Sequence, residues 1–206
     1  MPLISPGTVD PKPPLDLVLL HLKQSTRDVH HQLEDRLDLL NLTEIPEYQR
    51  VLTCFAEVYV RLEPQMEARP EWKHLDWKPV PKRNWLAQDL KFFGLQMPEG
   101  KPDFPLHSWQ EVLGATYVVE GSMLGGQLIG RHLQTLGITP QTGGRFFSGH
   151  QGQTGEIWKK VRQFLLDQTT DVEQVVQGAQ KTFQGFLDAL DRTEKHREVK
   201  GTHAAF

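Results

Sequence analysis

From Asp16 onward the apolar residues return every three or four positions and nowhere settle into alternation, which restricts the chain to a packing of helices. Asp16 to Leu40 carries Leu22, Val29, Leu33, Leu37 and Leu40 at helical spacing, and Tyr48 to Met66 carries Val51, Leu52, Phe55, Val58, Tyr59 and Leu62. Asn84 to Phe93 reads as a short helix between connectors marked by proline and glycine, around 70–81 and 94–105. Ser108 followed by Glu111 has the spacing of a capping box, which predicts a long helix from there to about Leu136. Residues 137–155 read as a loop, Glu156 to Leu166 and Val172 to Leu190 as helices, the last entered through Thr170 and Glu173. No internal repeat is visible. The expectation is an all-α single domain over residues 15–192, preceded by a flexible proline-rich arm (1–14) and followed by a tail (193–206).

The length of 206 residues suits one domain with a sizeable core, and a net charge of −3 gives no electrostatic basis for nucleic-acid binding. Cys54, the single cysteine, has no partner for an internal disulfide. No secretory leader pattern or membrane-spanning apolar run is present, so no membrane insertion is expected and a reducing cytoplasm fits best.

Within the long helix, EGSMLGGQLIG (residues 120–130) holds four glycines, each costing about 1 kcal/mol relative to alanine. At 100° per residue, Gly114, Gly121 and Gly125 fall within about 40° of one another, with Ser122 and Gly126 as a second stripe beside them. So bare a face serves either a close helix crossing or a flat ligand lying against the backbone. Adjacent Gly125 and Gly126 also weaken the helix enough to permit a kink. A planar ligand with a metal centre needs a donor from elsewhere, and LKQSTRDVHHQLE (residues 22–34) offers two histidines. On the helical wheel His30 lies at the edge of the apolar face and His31 on the solvent side; Lys23 lies close to His30 in angle.

These residues resemble the heme oxygenases, in particular the bacterial, biliverdin-producing branch associated with bacteriophytochromes. The first helix matches in Leu22, Lys23, Thr26, Val29, His30 and Glu34, the later one in Tyr117, Gly121, Gly125, Gly126 and Gln127. AQKTFQGFL (residues 179–187) is similar to the family's last long helix, with Phe183 and Phe186 in its pocket-side pattern. The resemblance implies a heme-oxygenase-like helical bundle with heme, both cofactor and substrate, between two helices. His30 would be the iron ligand, its second ring nitrogen held by Glu34, and the glycine helix the distal wall. Cleavage to biliverdin, iron and carbon monoxide would use dioxygen and electrons from a ferredoxin or flavoprotein reductase, with a bacteriophytochrome as a possible bilin acceptor.

Further roles follow from the same resemblance. Gly121 and Gly125 would give the steric pressure of the distal side, and Thr26, Tyr117, Gly126 and Phe183 would line the pocket. Lys23 matches a contact to the heme propionates, for which Lys159, Lys160 and Arg162 offer the second cation, and Arg131 falls where the family meets its electron donor. Better-known members place an aspartate directly after the glycine matching Gly121, where this chain has Ser122. An uncharged hydroxyl can hold a water but brings no carboxylate, so a heme carrier or sensor with the same fold is the competing expectation. A di-iron site is disfavoured, because no glutamate has a histidine three residues later. Cys54, the only nucleophile for thiamin-degrading relatives of this fold, falls among core positions.

Overall fold

The structure, a computed structural model, describes residues 15–75, 77–100 and 103–203. Six α-helices follow in order: α1 (Leu15–Leu37), α2 (Ile45–Glu67), α3 (Lys82–Phe92), α4 (Trp109–Thr135), α5 (Thr154–Gln168) and α6 (Val172–His203). Single 3₁₀ turns occupy Pro70–His74 and Gln151–Gln153. No strand occurs among the described residues. The expected arm, 1–14, lies outside them.

Local chemistry sets the helix ends. Ser108 caps α4 by accepting the Glu111 N–H at 3.2 Å, while Glu111 accepts the His107 N–H at 2.7 Å, so the expected box forms with its return bond one residue early. At α6 the cap is Asp171, which accepts the Gln174 N–H at 3.1 Å, rather than Thr170. Helix α1 stops at Leu37, three residues short of the periodic pattern, because Asp38 takes up φ +43° and turns the chain. Helix α6 continues beyond Leu190 to His203, past the boundary expected at 192.

The core is built on α2, which is buried on every side from Cys54 to Tyr59. Phe55 and Tyr59 stack against Phe146 and Phe186 with ring centroids 5.0–6.0 Å apart. Cys54 belongs to this cluster; its thiol is directed at the Phe186 carbonyl and burial pushes its pKa up to about 12, which removes it as a nucleophile. Helix α6 is the common platform, with α1, α2 and α4 all packed along it. The α4–α6 seam is backbone against backbone: a Cβ on Gly114 would stand 2.0 Å from the Val175 carbonyl, and one on Gly178 2.0 Å from that of Glu111. The helix-crossing reading of the small-residue face thus holds at Gly114. Further along it does not.

Candidate functional site

The glycines of α4 divide by what stands over them. A Cβ on Gly126 would lie 3.0 Å from the Phe147 carbonyl, and one on Gly130 3.4 Å from it, so these two let the segment 143–150 press against the back of the helix. Gly126 therefore serves that backbone contact rather than an open face. A Cβ on Gly121 would meet the Trp158 ring of α5 at 3.4 Å, and one on Gly125 would meet nothing within 4 Å. Helix α4 nevertheless runs unbroken through Gly125 and Gly126.

On the side of Gly121 and Gly125 the chain also displays large apolar residues. Leu124 and Leu128 lie within about 100° of arc with the two glycines and are 45% and 50% exposed. Two bare glycines flanked by two exposed leucines form an apolar strip on a helix whose preceding half, Glu111 to Glu120, is buried at every residue but Tyr117. Soluble proteins seldom leave such a strip uncovered without a use for it. The leucines escape a reading of the glycine pattern alone, because apolar residues at helical spacing ordinarily mean core.

On α1, His30 is 47% exposed and its Nδ1 stands 3.2 Å from Glu34 Oε2, one turn on. With Nδ1 engaged, Nε2 is the nitrogen left to a ligand. The ring is set edge-on against Phe183 of α6, centroids 5.4 Å apart, so its orientation is fixed by packing on one side and a carboxylate on the other. His31 is exposed as well, so the wheel separates the two histidines by their contacts rather than by burial. Lys23 is exposed on the same helix. Thr26 is buried, and its hydroxyl is spent on the Leu22 carbonyl at 2.8 Å, which makes it a packing residue rather than a polar contact for a ligand.

The His30 side and the Ser122 side meet across one turn of α6. Phe183 touches His30; Phe186, three residues on, stacks on Tyr59 and so lies in the core rather than the pocket. The Tyr59 phenol is fully buried, with the Ser122 hydroxyl as its side-chain polar neighbour. Its titration is pushed up by burial and by Glu63, and eased by the neighbouring Ser122 hydroxyl. Ser122 donates to the Val119 carbonyl at 2.9 Å, which ties up its only proton and leaves its oxygen free to accept. Tyr59 is a polar group of the site that reading it as one more apolar helix position misses. Tyr117 packs on Trp158 at 5.9 Å, which places both beside Gly121. Lys159, Lys160 and Arg162 are exposed on α5, one to four residues from Trp158.

Behind the strip lies a cluster that sequence periodicity does not reveal. Glu120 is buried between Lys82 Nζ at 2.6 Å and His150 Nε2 at 3.1 Å. Arg131 stands at the rim of a separate cavity of about 340 Å³, which it lines with Gln127, Thr139 and Phe147. No helix among the described residues is long and apolar enough to cross a membrane.

No family model and no curated protein matches the sequence. Among solved structures, the NO- and CO-bound heme oxygenase of Neisseria meningitidis superposes with a TM-score of 0.70, over 85% of this chain and 91% of that one, at 21% identity. This all-helical chain, with α6 as platform for both the histidine helix and the glycine helix, has the heme oxygenase fold.

Proposed function

We propose that this protein is a heme oxygenase, binding heme against the apolar strip of α4 with His30 on its other face and opening it to biliverdin, iron and carbon monoxide. The observation that carries the reading is the strip itself: Gly125 open, Gly121 roofed only by Trp158, and Leu124 and Leu128 half exposed beside them. A flat apolar ligand covers such a strip, with the exposed Ser122 beside Gly121 as its polar edge.

Bound heme would supply the iron and also the carbon framework that is cleaved, with dioxygen and external electrons as co-reactants. The chain's own residues divide the remaining work. His30 Nε2 would hold the iron, while Glu34, 3.2 Å from Nδ1, would fix the tautomer and orientation of the ring. Gly121 and Gly125 admit the porphyrin close to the α4 backbone, Tyr117 and Trp158 bound it at one end, and Phe183 sets the angle of His30. Because burial keeps the Tyr59 phenol protonated, it is a hydrogen-bond donor throughout the physiological range. Together with the accepting oxygen of Ser122 it can order a water on the distal side, a role an aspartate fills in better-known members.

Lys23 and the α5 cations Lys159 and Arg162 would meet the propionates, and Arg131 an acidic ferredoxin or flavoprotein reductase. A bacteriophytochrome is the bilin acceptor this reading offers. One observation favours a carrier instead: Gly121 to Gly130 contains no charged residue, so the distal side has no acid of its own. Hemin added to the purified protein, followed by a reductant in air, separates the two. An enzyme loses the Soret band and yields biliverdin, whereas a carrier keeps the band.

A further inference from the structure

Glu120 immediately precedes Gly121, and its carboxylate is one of the most deeply enclosed charges in the molecule, with side chains of 2% exposure for both Glu120 and Lys82 and 5% for His150. Burying such a group is costly, and well-packed apolar residues generally do as well or better for stability alone. What an ion triad supplies and apolar packing does not is direction. Each carboxylate oxygen is assigned to a different element: Oε1 to Lys82, the first residue of α3, and Oε2 to His150, at the end of the segment returning from α4.

Both partners are themselves held. The Lys82 N–H donates to Glu63 of α2 at 2.6 Å, and Arg83 reaches the same carboxylate. Segment 143–150 is pinned where Asp89 accepts the N–H groups of Arg145 and Phe146, each at 2.8 Å. Trp85, one turn along α3, fills the space between, with the Arg145 guanidinium 4.1 Å from its ring and His150 edge-on at 5.3 Å. The same segment lays the Phe147 carbonyl on Gly126 and Gly130. Beyond Glu120, only Met123, Gly126 and Leu133 of α4 are buried. Glu120 is thus the last charged anchor before the exposed strip.

We infer that His150 and Lys82 are positioning residues for the distal wall: by clamping the two oxygens of Glu120 they fix the rotation of α4 at Gly121, and with it the attitude of Ser122 toward Tyr59. The inference rests on the heme oxygenase reading, since a rotated α4 matters to function only if the strip meets the ligand. A turn of the helix at this point would carry Gly121, Ser122 and Gly125 together, altering which edge of the porphyrin is pressed and where the distal water sits.

The test compares wild type, His150→Leu and His150→Gln, all heme-loaded. Four quantities are read: hemin affinity, the infrared carbon monoxide stretch of the reduced complex, the ratio of biliverdin isomers, and turnover. His150→Leu should leave hemin affinity within about twofold, shift the stretch, and change the isomer ratio several-fold with turnover down about tenfold. His150→Gln, which keeps a donor for Glu120, should restore most of the wild-type values. If His150→Leu is less stable but retains the wild-type stretch and isomer ratio, the triad only stabilises and the inference is overturned. Should His150→Leu fail to fold, Lys82→Met, which removes the other clamp on the Glu120 carboxylate, is read against the same outcomes. A wild-type protein that takes up no hemin overturns the function and this inference together, and the wild-type titration alone distinguishes that case.

Discussion

His30 and His31 are adjacent and both exposed, yet only His30 has a carboxylate on Nδ1 and an aromatic edge against its ring. We therefore expect His30→Ala to remove the iron bond, with loss of the ligand-dependent hemin spectrum, and His31→Ala to leave that spectrum as in wild type. Equal spectra for the two variants would refute the assignment. Ser122 and Tyr59 supply the second test at this scale. Tyr59→Phe and Ser122→Ala should each bind hemin within about twofold of wild type and slow biliverdin formation by about tenfold or more, the range of a lost proton-transfer group. Unchanged rate and product in both would remove the distal-water role. The two residues differ in how they could be found. Ser122 was legible because better-known members of the family the sequence resembles carry an aspartate there; Tyr59 was not, since a phenol at an apolar helix position shows its polar neighbour only once that neighbour is placed.

Helix α4 combines two uses of glycine that one periodic stripe cannot separate. Gly114 touches the backbone of α6, whereas Gly125 faces open space. Alanine should therefore act with opposite sign at the two positions. Gly114→Ala forces a methyl group against the Val175 carbonyl and should cost about 1–3 kcal/mol or more, read from chemical denaturation. Gly125→Ala meets no atom and improves helix propensity, so the heme-free protein should gain up to about 1 kcal/mol while hemin affinity falls. A Gly125→Ala variant that binds hemin as wild type does would show that the porphyrin does not lie there. The helices themselves were legible, because periodicity and capping act within a few residues. Their ends were less so: Asp38 stops α1 by taking up φ +43°, and α6 is capped by Asp171 where Thr170 also offered a capping side chain one residue earlier. The split of the glycines depends on which element lies above each one, and spacing carries no such information.

For the molecule as a whole, the segment between α4 and α5 is tied down through buried charge, which makes its stability depend on pH. Burial pushes the Asp89 carboxyl up to about 6, against the opposing pull of the Phe146 and Arg145 N–H groups and the Arg145 charge. A carboxyl that holds its proton more tightly folded than unfolded takes up protons on folding between about pH 4 and 6, so its contribution to stability falls as the pH rises through that window. We expect Asp89→Asn to flatten the slope of the urea midpoint over the same range, and an identical slope in both proteins would contradict this. For the whole molecule the sequence showed an all-α domain and a family resemblance, and the structure adds the platform: α6 packs on His30 through Phe183 and, one turn later, on Tyr59 through Phe186. Long-range contacts of that kind, and the Lys82–Glu120–His150 cluster drawn from three separate parts of the chain, leave no periodic trace. One equivalent of hemin added to the protein, then a reductant in air, with the visible spectrum followed over time, decides whether the chain opens heme. Decay of the Soret band with growth of a long-wavelength band, identified as biliverdin by chromatography, is the expected result. A Soret band that persists, or no spectral change on adding hemin, would contradict it.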